Sequence, residues 1–262
     1  METKEQLTQF YENYDEEGRL LSRHGSVEFL TTMRYIEKYL KPGMRILEIG
    51  AATGRYSHAL ARMGYEVDAV ELVEYNIKLF QSYTQPSEQI TVRQGDARDL
   101  SYFADESYDL TLLLGPMYRL FTQEDQQQAL REALRVTKKG GIFMAAYCMN
   151  EATMIQYCFG RGMLKEVKYQ KLVDPVTFKA ASDPAELFEL YRREDIDMLM
   201  ADFPTERLHF VGTDMATNYM RDTIDTMDDE LFAMYLRYHF VICERADCVG
   251  VSHHVLDVHR KM

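Results

Sequence analysis

Along the first 150 residues the apolar positions switch repeatedly between a helical period and a strand period. From Ser26 to Leu40, Phe29, Met33, Ile36 and Leu40 recur at i, i+4, i+7 and i+11, one stripe of a helix face. Lys41-Pro42-Gly43 ends that helix, because Pro cannot continue it and Gly relieves the exit turn. A shorter helix is expected within Lys4–Tyr14. Short apolar runs then alternate with helical stretches. Strands are expected at Arg45–Ile49, at Tyr65–Val70 ending in Glu71, and at Ile90–Arg93, with helices at Arg55–Met63 and Val73–Tyr83 between them. Tyr108–Leu114 is almost continuously apolar, as a strand buried on both faces must be. Thr122 followed by Asp125 resembles a capping box, opening a helix with Ala129, Leu130, Ala133 and Leu134 inward. Gly140-Gly141 leads into a fifth strand, Ile142–Tyr147.

Strands spaced by helices of this length form right-handed βαβ units and a parallel sheet. The remainder is less regular. Asn150–Asp174 has no clean period and reads as helical or lid structure. Asp183-Pro184-Ala185-Glu186 is a strong helix start, with Asp as N-cap and Pro at N1, and the helix is expected to reach Met200. Arg207–Val211 and Val251–Val258 read as two closing strands around a helix at Asp228–Glu244, which extends the sheet to seven.

Composition narrows the partners. The 262 residues carry 30 basic and 42 acidic side chains, a net charge of −12. A binder of phosphate backbones gains affinity from Lys and Arg that replace counterions, so this balance argues against nucleic acid. Apolar runs such as Leu110–Leu114 fall far short of the roughly 20 residues that cross a bilayer, which argues against a membrane. The polar, acidic start is unlike a signal peptide, and the four cysteines hold no C-x-x-C pair, so a reducing cytoplasm is expected. Residues 183–230 hold 14 acidic and 4 basic side chains, a net of −10. A solvated acidic face is the plain reading, and attraction of a cationic acceptor such as an amine the sharper one.

The chemistry concentrates in Glu48-Ile49-Gly50-Ala51-Ala52-Thr53-Gly54. Here a strand runs into a turn of small residues and then a helix, where the backbone bends sharply and a ligand can approach its amides. Glu71 ends the next strand, where its two oxygens suit the hydroxyls of a ribose. A dinucleotide site would instead want G-x-G-x-x-G, whereas Gly50 and Gly54 are separated by three residues. This segment resembles the first motif of the class I S-adenosylmethionine-dependent methyltransferases, E/D-x-G-x-G-x-G, with Ala52 in place of the middle glycine. Alanine suits that position if its φ is negative. Gln94-Gly95-Asp96-Ala97 is similar to the family's adenine site. Leu114-Gly115-Pro116-Met117-Tyr118-Arg119-Leu120 is similar to the G-P-L-Y-H-L stretch of a bacterial, small-molecule-type subgroup, with Arg119 where His is usual. Tyr14-Asp15-Glu16-Glu17-Gly18-Arg19-Leu20 looks like that subgroup's N-terminal segment, which folds over the cofactor.

The resemblance implies an α/β, Rossmann-like, seven-stranded and mostly parallel sheet. An N-terminal helical cap would span residues 1–43 and the methyltransferase domain 44–262, with a lid insertion at 150–182 and additional helices at 214–247. It implies S-adenosyl-L-methionine as cofactor, bound by Tyr14, Glu48, Gly50, Ala51, Ala52, Gly54, Glu71, Leu72, Asp96, Ala97 and Leu114. The methyl group would pass to an O, N or S atom of a small molecule. Candidates for a general base are Tyr118 and Tyr147, near the carboxyl ends of strands, and His24 in the N-terminal segment. Both tyrosines can equally be aromatic wall. His253-His254 alternate across a strand, so no single metal ion takes both easily, and no metal site is expected. The alternatives are a non-catalytic S-adenosylmethionine-binding sensor or partner subunit, and a protein or RNA methyltransferase. The N/D-P-P-Y/F tetrapeptide of many amino-directed nucleic-acid enzymes is absent after the fourth strand.

Overall fold

A computed structural model describes residues 22–184 and 188–262. The helix expected within Lys4–Tyr14, the segment around Tyr14, and residues 185–187 of the expected helix start lie outside the described residues. Strands β1 (Arg45–Ile49), β2 (Glu66–Glu71), β3 (Ile90–Gln94), β4 (Tyr108–Leu113) and β5 (Thr137–Met149) pair in parallel in the order β3-β2-β1-β4-β5. The sheet continues through β8 (His254–Lys261), antiparallel to β5, and ends at β7 (Thr205–Gly212), antiparallel to β8. The expected seven strands are therefore present, and reversed β8 is what makes the sheet mixed. A two-residue strand, β6 (Leu190–Tyr191), joins the carboxyl end of β5 at Cys148 and Met149.

Helices cover both faces, which is why the parallel strands are apolar on both sides. On one face α4 (Gln123–Val136) and α5 (Arg193–Met200) meet Leu47, Ile49, Phe143, Ala145 and Tyr147 in the larger core cluster. On the other, α1 (Arg23–Glu37) and α2 (Arg55–Arg62) meet Ile46, Leu110, Leu112 and Met144. The α1 stripe behaves as its spacing requires: Met33 and Ile36 are buried, with Phe29 and Leu40 packed beside them. The third crossover helix, α3 (Glu74–Tyr83), seats Phe80 under the β1–α2 turn. Thr122 caps α4 by accepting from the Asp125 amide at 3.2 Å. After β7 come α6 (Arg221–Asp225) and α7 (Asp229–Ile242), the latter capped by Asp228.

Three expectations change. The helix expected from Asp183 to Met200 is α5 alone, because Leu190 and Tyr191 are pulled into the sheet and buried. The fifth strand starts earlier than its apolar run, at Thr137, directly after α4. Tyr147, offered as a base, is wholly buried in the larger core, edge-on to Tyr191 at 5.0 Å. Burial pushes its phenol well above the usual value, the wrong direction for a base. Its odd-numbered neighbours on β5 share the same core, so alternation along the strand places the ring on the face covered by α4 and α5.

Glu48 lies under the β1–α2 turn, accepting from the Ser57 amide at 2.9 Å and from the Ser57 hydroxyl. Burial raises its carboxyl to about 7 despite these donors, with Glu71 adding to the rise.

Two predictions follow from this packing. The Tyr147 hydroxyl is buried with no hydrogen-bond partner among the described residues. Tyr147→Phe is therefore expected to keep any methyl-transfer activity and to raise Tm by roughly 2–4 °C, about 1 kcal/mol. A carboxyl whose folded pKa exceeds its unfolded value stabilises most below the unfolded value and loses that contribution as pH rises. For Glu48 the window runs from about 4.5 to about 7. Urea melts of Glu48→Gln and the parent should show the variant gaining, relative to the parent, on the order of 2–3 kcal/mol between pH 4 and pH 8.

Candidate active site

The carboxyl ends of β1, β2, β4 and β5 share one edge of the sheet, and the residues of the glycine turn gather there with Glu71, Leu114 and Tyr118. Gly50 has φ +79°, and a Cβ on it would stand 2.5 Å from Pro116 Cδ. Gly54 has φ +87°, and a Cβ there would enter the Phe80 ring at 2.3 Å. Both positions thus need glycine twice over, for conformation and for space. Ala52 lies at φ +46°, in the left-handed region rather than at the negative φ expected of an alanine. That conformation costs about 1 kcal/mol, and the surrounding hydrogen bonds must hold it.

Glu71 supplies that hold. Only 5% exposed at the end of β2, it accepts from the Ala52 amide at 2.9 Å through Oε2. Oε1 accepts from the Val73 amide at 2.9 Å and from Asn76 Nδ2 at 3.1 Å. Burial raises its pKa, and these donors oppose the rise. The amides of Gly50 and Ala51 both reach Val70 O, fastening the turn to β2. Leu72 follows Glu71, its carbonyl accepting from Gln94 Nε2 at 2.9 Å. Glu48 faces inward to Ser57, beneath the turn.

The adenine-side candidates are differently placed. Asp96 gives both oxygens to Arg98, at 2.6 Å from Nη2 and 3.0 Å from Nε, and Arg98 reaches on to Asp125 at 2.9 Å. An incoming amine at Asp96 would share an oxygen with a guanidinium. Ala97 beside it is buried. Leu114 donates its amide to Ile49 O at 3.2 Å, so the exit from β4 lies against the β1 turn.

Pro116 opens a short 3-10 turn, Pro116–Arg119, that carries Tyr118 from the Gly50 contact toward the far side of the edge. The Tyr118 ring packs on Phe188 at 5.6 Å and stands edge-on to His254 at 6.4 Å. His24 lies at the start of α1, with Nδ1 2.7 Å from Asp225 Oδ2 and its amide donating to Asp225 Oδ1 at 2.9 Å. It fastens α1 to α6.

Sequence reasoning missed Asp214, the partner of the histidine that Tyr118 meets. Asp214 follows β7 and is 2% exposed. Its Oδ1 accepts from Ser252 Oγ at 2.7 Å and the His253 amide at 2.8 Å, and its Oδ2 from Asn218 Nδ2 at 2.6 Å. His254 Nδ1 lies 2.8 Å from the same Oδ2 and 3.5 Å from Glu28 Oε2. Burial would raise the Asp214 carboxyl, but His254, His253 and Ser252 hold it well below the usual range. Burial would likewise lower His254, yet Glu28, Cys148 and Asp214 together keep it well above the ordinary histidine value. Neighbouring His253, between Tyr157 and Tyr219, drops to about 4 through burial. The available signal was an acid just after one strand and a histidine opening its antiparallel neighbour.

Much of the acidic charge in residues 183–230 is spent locally. Asp195 pairs with Lys179, Asp197 with Arg193 and Arg207, Asp225 with His24, and Asp229 with Arg23.

Residues 47–145 match the model of the methyltransferase domain family. A demethylmenaquinone methyltransferase of Renibacterium salmoninarum is 32% identical over 105 residues, 40% of this chain and 41% of that one. The chain spans less than half the length of the first curated relatives it matches. Among solved structures, a protein of Pyrococcus horikoshii superposes with TM-score 0.64 at 16% identity, covering 97% of this chain and 99% of the other. The magnesium protoporphyrin IX methyltransferase of Synechocystis, solved with bound S-adenosylhomocysteine, gives 0.57 at 12% identity over 98% and 94%. At these identities the two structures speak for the fold. Residues 47–145 are accordingly similar to the methyltransferase domain family, and the mixed sheet that carries them has the fold of these two structures.

Proposed function

We propose that this chain transfers a methyl group from S-adenosylmethionine to an O, N or S atom of a small molecule. The observation that carries the proposal is the buried Glu71 carboxylate, braced against a strand–turn–helix bend that needs glycine at both ends. The donor set suits the cofactor. Glu71 Oε2 accepts one hydrogen bond from the turn and keeps a second lone pair for a ribose hydroxyl. Gly50, Ala51, Ala52 and Gly54 would border the methionine part, with Leu72 and Ala97 beside the adenosine and Leu114 closing the inner wall. Asp96 would take the adenine amine alongside Arg98. Glu48 acts through Ser57, setting the start of α2. When bound, the cofactor supplies a methyl group already activated on a sulfonium, so proximity and alignment account for much of the acceleration.

The acceptor would enter at the carboxyl ends of β4 and β5, past Tyr118, with 150–182 as the lid. Three tethers support that lid. Asn150 ties its returning segment down by bonding Phe178 O and the Ala180 amide, and Gln156 Nε2 reaches Asn218 O at 2.8 Å. Arg192 joins Glu151 to Thr177 O from below. A small acceptor is favoured over RNA by the net charge of −12.

Titration calorimetry should show S-adenosylmethionine binding and no NADH binding; a chain that takes up only NADH would end this reading. Glu71→Gln, which keeps one acceptor for the turn, is expected to weaken cofactor binding about 10-fold, and Glu71→Ala 30-fold or more. Circular dichroism of both variants should match the parent.

A further inference from the structure

We infer that His254 and Asp214 form an acid–base dyad, in which His254 takes the proton of the methyl acceptor and Asp214 is the positioning residue. The inference rests on the methyltransferase reading above and adds the group that handles the proton.

Four observations converge. The first is place. His254 opens β8 and pairs with Cys148 at the carboxyl end of β5, so it stands on the edge where Gly50 and Glu71 gather. The second is continuity with the cofactor turn: Pro116 packs on Gly50, and Tyr118, two residues on, meets the His254 ring. The third is contrast in burial. Asp214 is sealed, whereas the His254 side chain keeps 21% exposure. The fourth is commitment of atoms: Nδ1 belongs to Asp214, so the acceptor proton would arrive at Nε2, with the Cys148 thiol as a neighbouring hydrogen-bond partner of the ring. A buried carboxylate that fixes tautomer and ring orientation is the general device for making an imidazole a directed base.

A metal ion is the competing use of Glu28, Asp214 and His254, whose ligand atoms lie within 4.8 Å of one another. The bonding of Asp214 speaks against it. Ser252 and the His253 amide occupy Oδ1, and Asn218 and His254 occupy Oδ2. An ion would have to displace donors from a carboxylate already satisfied on both oxygens.

His254 Nε2, neutral, accepts the proton of the acceptor X–H while X bonds to the methyl carbon. The methyl–sulfur bond breaks with its electron pair left on sulfur, neutralising the sulfonium. The imidazolium then returns its proton to solvent. Because Glu28 and Asp214 favour the charged ring, the neutral base grows with pH, and activity should climb above neutrality. Cys148 from β5, Tyr118 from the turn after β4 and His253, just before β8, also face the ring. Tyr219 and Arg221 face His253 from the 215–225 stretch, and His239 and Tyr235 of α7 face Asp214.

The test uses the full chain with three probe acceptors, catechol, tyramine and dithiothreitol, and reads S-adenosylhomocysteine release from pH 6 to pH 10. Calorimetry with S-adenosylmethionine accompanies each variant. Absence of cofactor binding by the parent would overturn the methyltransferase reading itself. With binding intact, His254→Ala should lower kcat on the accepted probe about 100-fold, and added imidazole should restore part of it. Asp214→Asn should move the acid limb of the rate profile to lower pH. In the cofactor-free chain, the NMR titration midpoint of His254 should lie above that of an ordinary histidine and fall in Asp214→Asn. The dyad is overturned by any of three results: full activity in His254→Ala, a lost rate that imidazole leaves unrestored, or a parent that binds cofactor yet turns over none of the probes.

Discussion

The ligand edge of this sheet depends on one buried carboxylate. Glu71 draws the Ala52 amide, the Val73 amide and Asn76 to itself, and in doing so joins the turn after β1 to the start of α3. The left-handed alanine at 52, an uncomfortable conformation, is held by that bond and by the twin bonds to Val70 O. Phe80 fills the space under Gly54, and Pro116 the space over Gly50. Cofactor binding on such a turn draws on strain already met during folding, which is how a short loop reaches ligand geometry without paying for order at the moment of binding.

Electrostatics divide the edge into two regions of different character. Around the β1–α2 turn the carboxylates are buried and raised, and amides rather than cations answer them. Around β8 the carboxylate Asp214 is buried and lowered, because imidazole and hydroxyl groups surround it. In the proposed reaction the first arrangement would hold a hydroxylic ligand and the second a proton ready to move.

Most of the cofactor half was legible in the sequence because its signals are local. A strand, a glycine-bounded turn and an acid at the next strand end all lie within Arg45–Glu71, and periodicity placed the strands β1 to β5. The misreadings were long-range. Tyr147 could not be assigned a face from its own run, since β5 is apolar on both sides. The helix expected after Asp183 lost its middle to β6, where two residues found a free strand end at Cys148. Asp214 and His254 are 40 residues apart and gain meaning only when the direction of β8 is known. Arg98 lies two residues beyond Asp96, close enough to be suspected, yet charge pairs at that spacing carry no helix or strand rule.

The reversed strand β8 has a consequence for how such a molecule can change. A parallel strand delivers its last residues to the ligand edge, so its contribution is tied to the crossover that follows. Running the other way, β8 delivers its first residues, and its remaining length anchors them between β5 and β7. Residues 252–254 thus make their bonds to Asp214 while the strand behind them keeps the register. In the proposed reaction, the donor and acceptor sides would rest on opposite ends of the chain and could drift independently.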